Sequence, residues 1–139
     1  DRSPLKHALE TGDCEAAEDF INRQIADTIS YYDYAENFYH GFMAGLLTNI
    51  GGYRVKSNRE SGNGRPDIVM TESKFRGRAM ILELKISDTI QGMEKKCEEA
   101  FTQMKEQNYA VTLAEDGYQP ILKYAICFFK KGCMVKKAE

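Results

Sequence analysis

The most constraining feature of this 139-residue sequence is a pair of opposite charges inside the apolar run AMILELKIS, residues 79–87. The alternation predicts a β-strand, in which side chains two residues apart point to the same face. One face is then entirely apolar, whereas Glu83 and Lys85 point together to the other. Burying an unpaired charge costs several kcal/mol after relaxation. The strand therefore needs compensation from a neighbouring group, a metal ion or an open cleft.

The patterns around this run predict helices first, then three strands, one helix and two strands. Helices are expected over residues 3–11, 13–32 and 33–50, where apolar residues recur at helical spacing. Further along, the sequence predicts strands at 53–58, 67–72 and 79–87, a helix at 89–110, and strands at 121–130 and 133–138. This order is typical of a mixed α/β sandwich with one crossover helix.

Composition indicates a globular chain. Apolar residues make up 42% of the sequence, and the length suits one domain with a single core. No apolar run approaches the roughly 20 residues of a membrane span, and no signal-peptide pattern opens the chain. We therefore expect a soluble cytoplasmic domain. Because the chain begins at Asp1 rather than Met, we also expect it to be a piece of a longer protein.

The four cysteines are scattered, with no C-x-x-C spacing, at Cys14, Cys97, Cys127 and Cys133. A zinc site needs clustered ligands, and the sequence offers only two histidines besides. This pattern favours buried thiols over disulfide bridges, zinc or iron–sulfur ligation.

The charge distribution is uneven although the net charge is only −2. Residues 53–85 carry eight basic and four acidic groups, whereas residues 1–52 carry three basic and nine acidic groups. The basic surplus thus coincides with the segments around the charged strand. It is compatible with local contact to a polyanion, and equally with lysines and arginines that protect strand edges.

Asp67 gives the Glu83–Lys85 pair a chemical interpretation. It begins the preceding strand, directly after Pro66, and a short turn joining the two strands can bring it close to Glu83. Two converging carboxylates make a hard-cation site, and Mg²⁺ uses one or two carboxylates with waters and phosphate oxygens. A lysine beside that ion can orient water and stabilise charge on a phosphate. The alternative is a solvent-exposed Glu–Lys pair of little energetic consequence, with Asp67 far away.

These residues carry a family resemblance. GRPD, followed after fifteen residues by ELK, resembles the PD-(D/E)XK nuclease superfamily. The flanking segments, residues 35–70, 81–86, 100–110 and 124–136, are similar to the nuclease-type domain that follows an AAA-ATPase-like domain in many bacterial proteins. No GxxxxGK[ST] motif occurs, so any ATPase domain would lie outside this chain.

The resemblance implies a restriction-endonuclease-like three-layer α/β sandwich with a mixed sheet of about four or five strands. Its core would follow the order α-β-β-β-α-β over residues 33–139, after a helical lead-in over 1–32. It further implies a Mg²⁺- or Mn²⁺-dependent nuclease whose partner is nucleic acid, expected to be DNA. Asp67 and Glu83 match the metal-binding acids, Lys85 matches the catalytic lysine, and the carbonyl of Leu84 is an additional metal ligand.

The resemblance also suggests further site residues, each with a structural alternative. Glu36 matches an additional metal-binding acid, although Asp33 and Glu36 also fit a helix capping box. His40 is as compatible with a core histidine as with a contact to substrate or metal. Gln103 and Tyr109 match a Gln-and-Tyr feature of exonuclease-like members, or else ordinary helix surface and helix-end packing. Arg65 is expected to contact phosphate, together with Arg59 and Lys56, unless these residues only solvate a loop.

Two other classes of function remain open at this point. The domain could be a catalytically weak or inactive module that binds nucleic acid or protein beside an ATPase. It could also be a purely structural sandwich with a solvated Glu83–Lys85 pair. At this point the substrate could be DNA or RNA, and cleavage could be endo- or exonucleolytic. The oligomeric state is also open.

Overall fold

The computed structural model describes residues 1–28, 36–58 and 65–139, with Glu36 described by its backbone alone. Five helices are present in these ranges: α1 Ser3–Thr11, α2 Cys14–Thr28, α3 Glu36–Thr48, α4 Met93–Gln107 and α5 Tyr109–Glu115. Five strands form the sheet: β1 Tyr53–Ser57, β2 Ile68–Glu72, β3 Ala79–Ile86, β4 Ile121–Phe129 and β5 Gly132–Lys137. The predicted order of elements is confirmed except that two helices, α4 and α5, replace the single helix expected between β3 and β4.

The strands lie side by side in sequence order, β1-β2-β3-β4-β5. Three pairs are antiparallel, whereas β3 and β4 are parallel because α4 and α5 carry the chain back across the sheet. The charged strand β3 therefore lies in the centre, with a strand on each side. This is the mixed five-stranded sheet that the sequence predicts.

Strand alternation divides the core between the two sheet faces. Met80 and Leu82 of β3 belong to a cluster shared with α1, α2 and α3. Ala79 and Ile81 point the other way and pack against Met104 and other residues of the α4–α5 side. The result is a three-layer sandwich, and the alternation places Glu83 and Lys85 on the α4–α5 face.

The helix after β3 is shorter than its sequence pattern predicts. We expected one helix through Ala110, but α4 ends at Gln107, and Asn108 adopts a left-handed conformation with φ 54°. Asparagine tolerates this conformation better than most residues and commonly ends helices. The chain then continues as α5, which begins at Tyr109. This break directs Tyr109 toward the β1–β2 side of the sheet, where it packs on the cluster of Val69 and Leu113.

All four cysteines are free, and three of them are buried. Burial raises the pKa of Cys127 to about 11 and that of Cys97 to about 12. Buried thiols with such raised pKa values are unreactive as nucleophiles near neutral pH. None of the helices in the described ranges is both long and apolar enough to cross a membrane.

Candidate active site

The register of β2 and β3 brings the two predicted metal-binding acids together. Ile68 pairs with Leu82 and Met70 with Met80, so one further step along the same register sets Asp67 opposite Glu83. Directly opposed residues on antiparallel strands have their Cβ atoms about 5 Å apart. Both side chains leave the sheet on the α4–α5 face. The sequence expectation that a short turn would bring these carboxylates together agrees with this geometry.

Asp67 is held by the backbone of the opposite strand. Its Oδ2 accepts a hydrogen bond of 2.8 Å from the amide N–H of Leu84. In the regular ladder the residue opposite Leu84 would be Pro66, which has no N–H to donate. The N–H and C=O of one strand residue point toward the same neighbour. The Leu84 carbonyl therefore faces the acid-bearing edge without a backbone donor from Pro66, where it can serve as a further oxygen ligand.

Glu83 is completely buried, with 0% of its surface exposed. Neither of its carboxylate oxygens has a hydrogen-bond partner of regular geometry within the described residues, although the side chain and backbone N–H of Asp67 lie close enough to influence its pKa. Burial and then the negative charge of Asp67 raise the pKa of Glu83 to about 8. Since two ionised carboxylates cannot hydrogen bond to each other, the pair needs a shared proton or a cation. The solvent-exposed Glu–Lys pair considered as an alternative is therefore wrong.

Lys85 is positioned by α4. Its Nζ donates a hydrogen bond of 2.7 Å to Oε1 of Gln103, and both side chains are only partly buried. No ion pair within 4.0 Å joins Lys85 to Glu83 in the described part of the chain. The ammonium group is thus held beside the acid pair by a neutral acceptor, which leaves its charge available to a bound anion. Gln103 accordingly contacts Lys85, and its role in catalysis stays a prediction.

Two positioning residues of the Pro66–Asp67 segment were not identified from the sequence. Asn58 binds this segment twice, because its backbone N–H donates to the Asp67 carbonyl at 2.8 Å and its Nδ2 to the Pro66 carbonyl at 2.9 Å. Gln107 donates from Nε2 to the Arg65 carbonyl at 3.2 Å, which ties the end of α4 to the same segment. An amide side chain directly after β1 was the available signal for Asn58.

Among the remaining predicted contacts, His40 and Arg65 lie within the described residues. His40 is buried on the opposite face, where its Nε2 and Oγ of Ser57 form a hydrogen bond of 2.6 Å, as expected for a core histidine. The Arg65 side chain is exposed beside Asp67. Glu36 begins α3, but its side chain, the capping residue Asp33 and Arg59 lie outside what the structure describes.

The donor set suits a hard divalent cation. Within the described ranges no group of three or more His, Cys, Asp or Glu side chains could hold a metal ion. Two carboxylates and a main-chain carbonyl nevertheless match the oxygen ligands of Mg²⁺, which keeps several waters. The unpartnered buried oxygens of Glu83 are the specific observation in favour, since a cation would supply the charge compensation that they lack.

The fold and the site define a class of protein. A three-layer sandwich that presents Asp67, Glu83 and Lys85 where β2 and β3 meet is a restriction-endonuclease-like domain. A family model described as the PD-(D/E)XK nuclease superfamily matches residues 34–138. The chain belongs to this superfamily, which confirms the resemblance seen in the sequence. No match was found among curated proteins or among solved structures.

Proposed function

We propose that this domain is a divalent-cation-dependent nuclease that hydrolyses DNA phosphodiester bonds. Membership of the nuclease superfamily supports the class of reaction. The observation that carries the proposal is the buried Glu83 carboxylate, which has no hydrogen-bond partner among the described residues and lies opposite Asp67, next to Lys85. In a purely structural role, nothing would compensate the free-energy cost of burying this carboxylate beside a second acid.

Asp67, Glu83 and the Leu84 carbonyl are the groups that would hold Mg²⁺ or Mn²⁺, with Glu36 as a further acid from α3. Such an ion, when bound, lowers the pKa of a coordinated water and neutralises charge on the phosphate. Lys85 orients the attacking water and stabilises the negative charge that develops on the phosphate oxygens. Gln103 keeps the Lys85 ammonium group in this position through its 2.7 Å hydrogen bond.

The assignment of DNA as substrate, and of a bacterial AAA-ATPase-like neighbour, rests on the sequence resemblance. The basic surplus of residues 53–85 supports a nucleic-acid partner, with Arg65 as a phosphate contact beside Asp67. A cytoplasmic location fits the free thiols, since that compartment keeps thiols reduced. A catalytically inactive binding module is the alternative function, and it predicts that the acid pair can be replaced without loss of function.

The proposal is tested by incubating the purified protein with labelled DNA, in single-stranded and duplex form, with Mg²⁺, with Mn²⁺ or with EDTA. We expect cleavage with either ion and none with EDTA. RNA of the same sequence, run in parallel, decides the substrate class. Absence of cleavage of every substrate with both ions would contradict the proposed activity, and cleavage of RNA alone would contradict the assignment to DNA.

A further inference from the structure

A cavity lies on the same face of the sheet as the acid pair, beside the edge strand β1. The cavity has a volume of about 160 Å³ and lies between β1, β2, α5 and the loop that follows α5. Its lining combines basic side chains, tyrosine rings and a carboxylate, which are groups that commonly contact nucleotides. The residues include Arg54, Lys56, Val69, Tyr109, Asp116 and Tyr118. Of these, the sequence pattern indicated only Lys56 and Tyr109 as substrate contacts.

The sheet register connects this cavity to the acid pair. Lys56 pairs with Val69 and Arg54 with Thr71, so the lining residues of β1 and β2 share the face from which Asp67 projects. Val69 is two residues from Asp67, about 7 Å along the strand. One nucleotide step of an extended nucleic-acid strand covers a similar distance. A strand bound at the acid pair would thus place a neighbouring nucleotide at the cavity.

The two cations of the cavity are available to a ligand. Arg54 and Lys56 are exposed. In the described part of the chain, neither side chain forms an ion pair or a hydrogen bond. Arginine and lysine side chains in this situation are typical phosphate contacts. On β1 they form the outer rim of the cavity, where a nucleic-acid backbone can reach them from solvent.

The interior of the cavity suits a nucleobase. Val69 and Leu113 are buried and form an apolar floor. Tyr109 and Tyr118 are half-buried and pack against the same cluster, and tyrosine rings are common stacking partners of unpaired bases. The exposed Asp116 carboxylate can accept a hydrogen bond from the amino group of a base. A volume of about 160 Å³ is of the size of a single nucleobase.

We propose that this cavity is a base-binding subsite that takes one unpaired base of the nucleic-acid strand, with the adjoining phosphate on Arg54 and Lys56. The inference rests on the proposed nuclease function, since it assigns the form of substrate that the acid pair acts on. A base within a duplex cannot enter, because its edge is paired and its faces are stacked. The domain therefore selects single strands and frayed ends.

The test is a binding measurement in EDTA, so that no cleavage occurs. Fluorescence anisotropy is recorded with a labelled single-stranded oligodeoxycytidine and with a blunt duplex. We expect the wild-type protein to bind the single strand about tenfold more tightly or better, and the Arg54→Ala, Lys56→Ala double variant to lose this preference. Tyr118→Leu should weaken single-strand binding by a similar factor, because the stacking ring is removed.

A double variant with Arg23→Ala and Lys137→Ala is the matched control. It removes the same charge from exposed positions on α2 and β5, on the opposite side of the sheet. It should bind like the wild-type protein, and circular dichroism checks that every variant is folded. Loss of binding equal to that of the cavity variant would mean that net charge alone attracts DNA, and would overturn the subsite.

Two further results would overturn the subsite. One is a wild-type protein that shows no preference for the single strand, and the other is an Arg54→Ala, Lys56→Ala variant that binds the single strand as tightly as the wild-type protein does. Cleavage with Mg²⁺ is scored separately on the same DNA. A protein that cleaves DNA but gives either result keeps the nuclease function and loses the subsite. A protein that binds single strands through these two residues but cleaves no nucleic acid keeps the subsite and loses the nuclease.

Discussion

Replacement of Lys85 by Ala is expected to lower the rate of DNA cleavage about a hundredfold or more while the protein remains folded. Lys85 is the one cation held beside the acid pair by a hydrogen bond in the described part of the chain, through Gln103 at 2.7 Å. Its removal takes away both the orientation of the attacking water and the stabilisation of charge on the phosphate. Its side chain is only partly buried, so truncation should change the free energy of unfolding little. Single-turnover cleavage rates and urea unfolding measure the two effects.

The Gln103→Ala variant tests how much of the lysine's effect depends on its position. It leaves the lysine in place but removes its acceptor, so we expect a smaller loss, about tenfold in kcat, with KM nearly unchanged. Gln103→Glu keeps an acceptor at the same position and should recover part of the rate. Lys131→Ala, which removes an exposed cation of the β4–β5 turn, serves as the control for loss of positive charge. If the Lys85→Ala variant cleaved DNA at the rate of the wild-type protein, the proposed mechanism would be excluded.

Replacement of Glu83 by Gln is expected to abolish cleavage and yet to stabilise the metal-free protein, on the order of 3 kcal/mol at alkaline pH. The wild-type carboxylate is fully buried, has no partner among the described residues, and lies opposite another acid. Glutamine has nearly the same shape and no charge, and its amide N–H can donate to the Asp67 carboxylate. The buried Glu83 carboxylate lowers the free energy of unfolding, and its replacement by a neutral amide should restore that stability.

The pH dependence of stability gives this prediction a distinct signature. The folded-state pKa of Glu83 is raised from 4.5 to about 8, so between these values the folded protein holds a proton that the unfolded chain has released. The protonated Glu83 therefore makes its full contribution to the free energy of unfolding below pH 4.5, and this contribution is lost as the pH rises through about 8. The Gln variant should lack that decline, and it should differ little from wild type at about pH 5 and most at about pH 9.

Urea unfolding in EDTA across this pH range measures the difference. Glu98→Gln, at an exposed position of α4, neutralises a carboxylate without relieving burial and should follow the wild-type curve. A Glu83→Gln protein that is less stable than wild type at every pH would show that the carboxylate is structurally satisfied. The proposed cation site would then lose its main physical support.

The pairing of Asp67 with Glu83 is the part of the site that the sequence predicts best. It needs only two strands with period two, a short connection between them, and Pro66 to interrupt the regular ladder before Asp67. These are local signals, and hydrophobic alternation fixes register because a slip of one residue would reverse every side chain. The five-stranded mixed sheet follows from the same patterns together with the crossover helix.

Other parts of the site depend on tertiary contacts that no local pattern records. The break at Asn108 ends α4 although the helical periodicity continues through Tyr109, and this break is what brings α5 over β1 and β2. The hydrogen bond from Gln107 to the Arg65 carbonyl joins residues 42 positions apart. Complete burial of Glu83 likewise depends on how closely α4 approaches the sheet. Sequence reasoning could place Glu83 on that face but could not determine its exposure.

The central claim, that Asp67 and Glu83 form a divalent-cation site, is tested most directly by calorimetric titration of Mn²⁺ and Mg²⁺. The wild-type protein is compared with Asp67→Ala and with Asp19→Ala, which removes an exposed acid of α2 as a control. We predict saturable binding to the wild type and to Asp19→Ala, and no measurable binding to Asp67→Ala. Equal binding to all three proteins, or none to the wild type, would contradict the account.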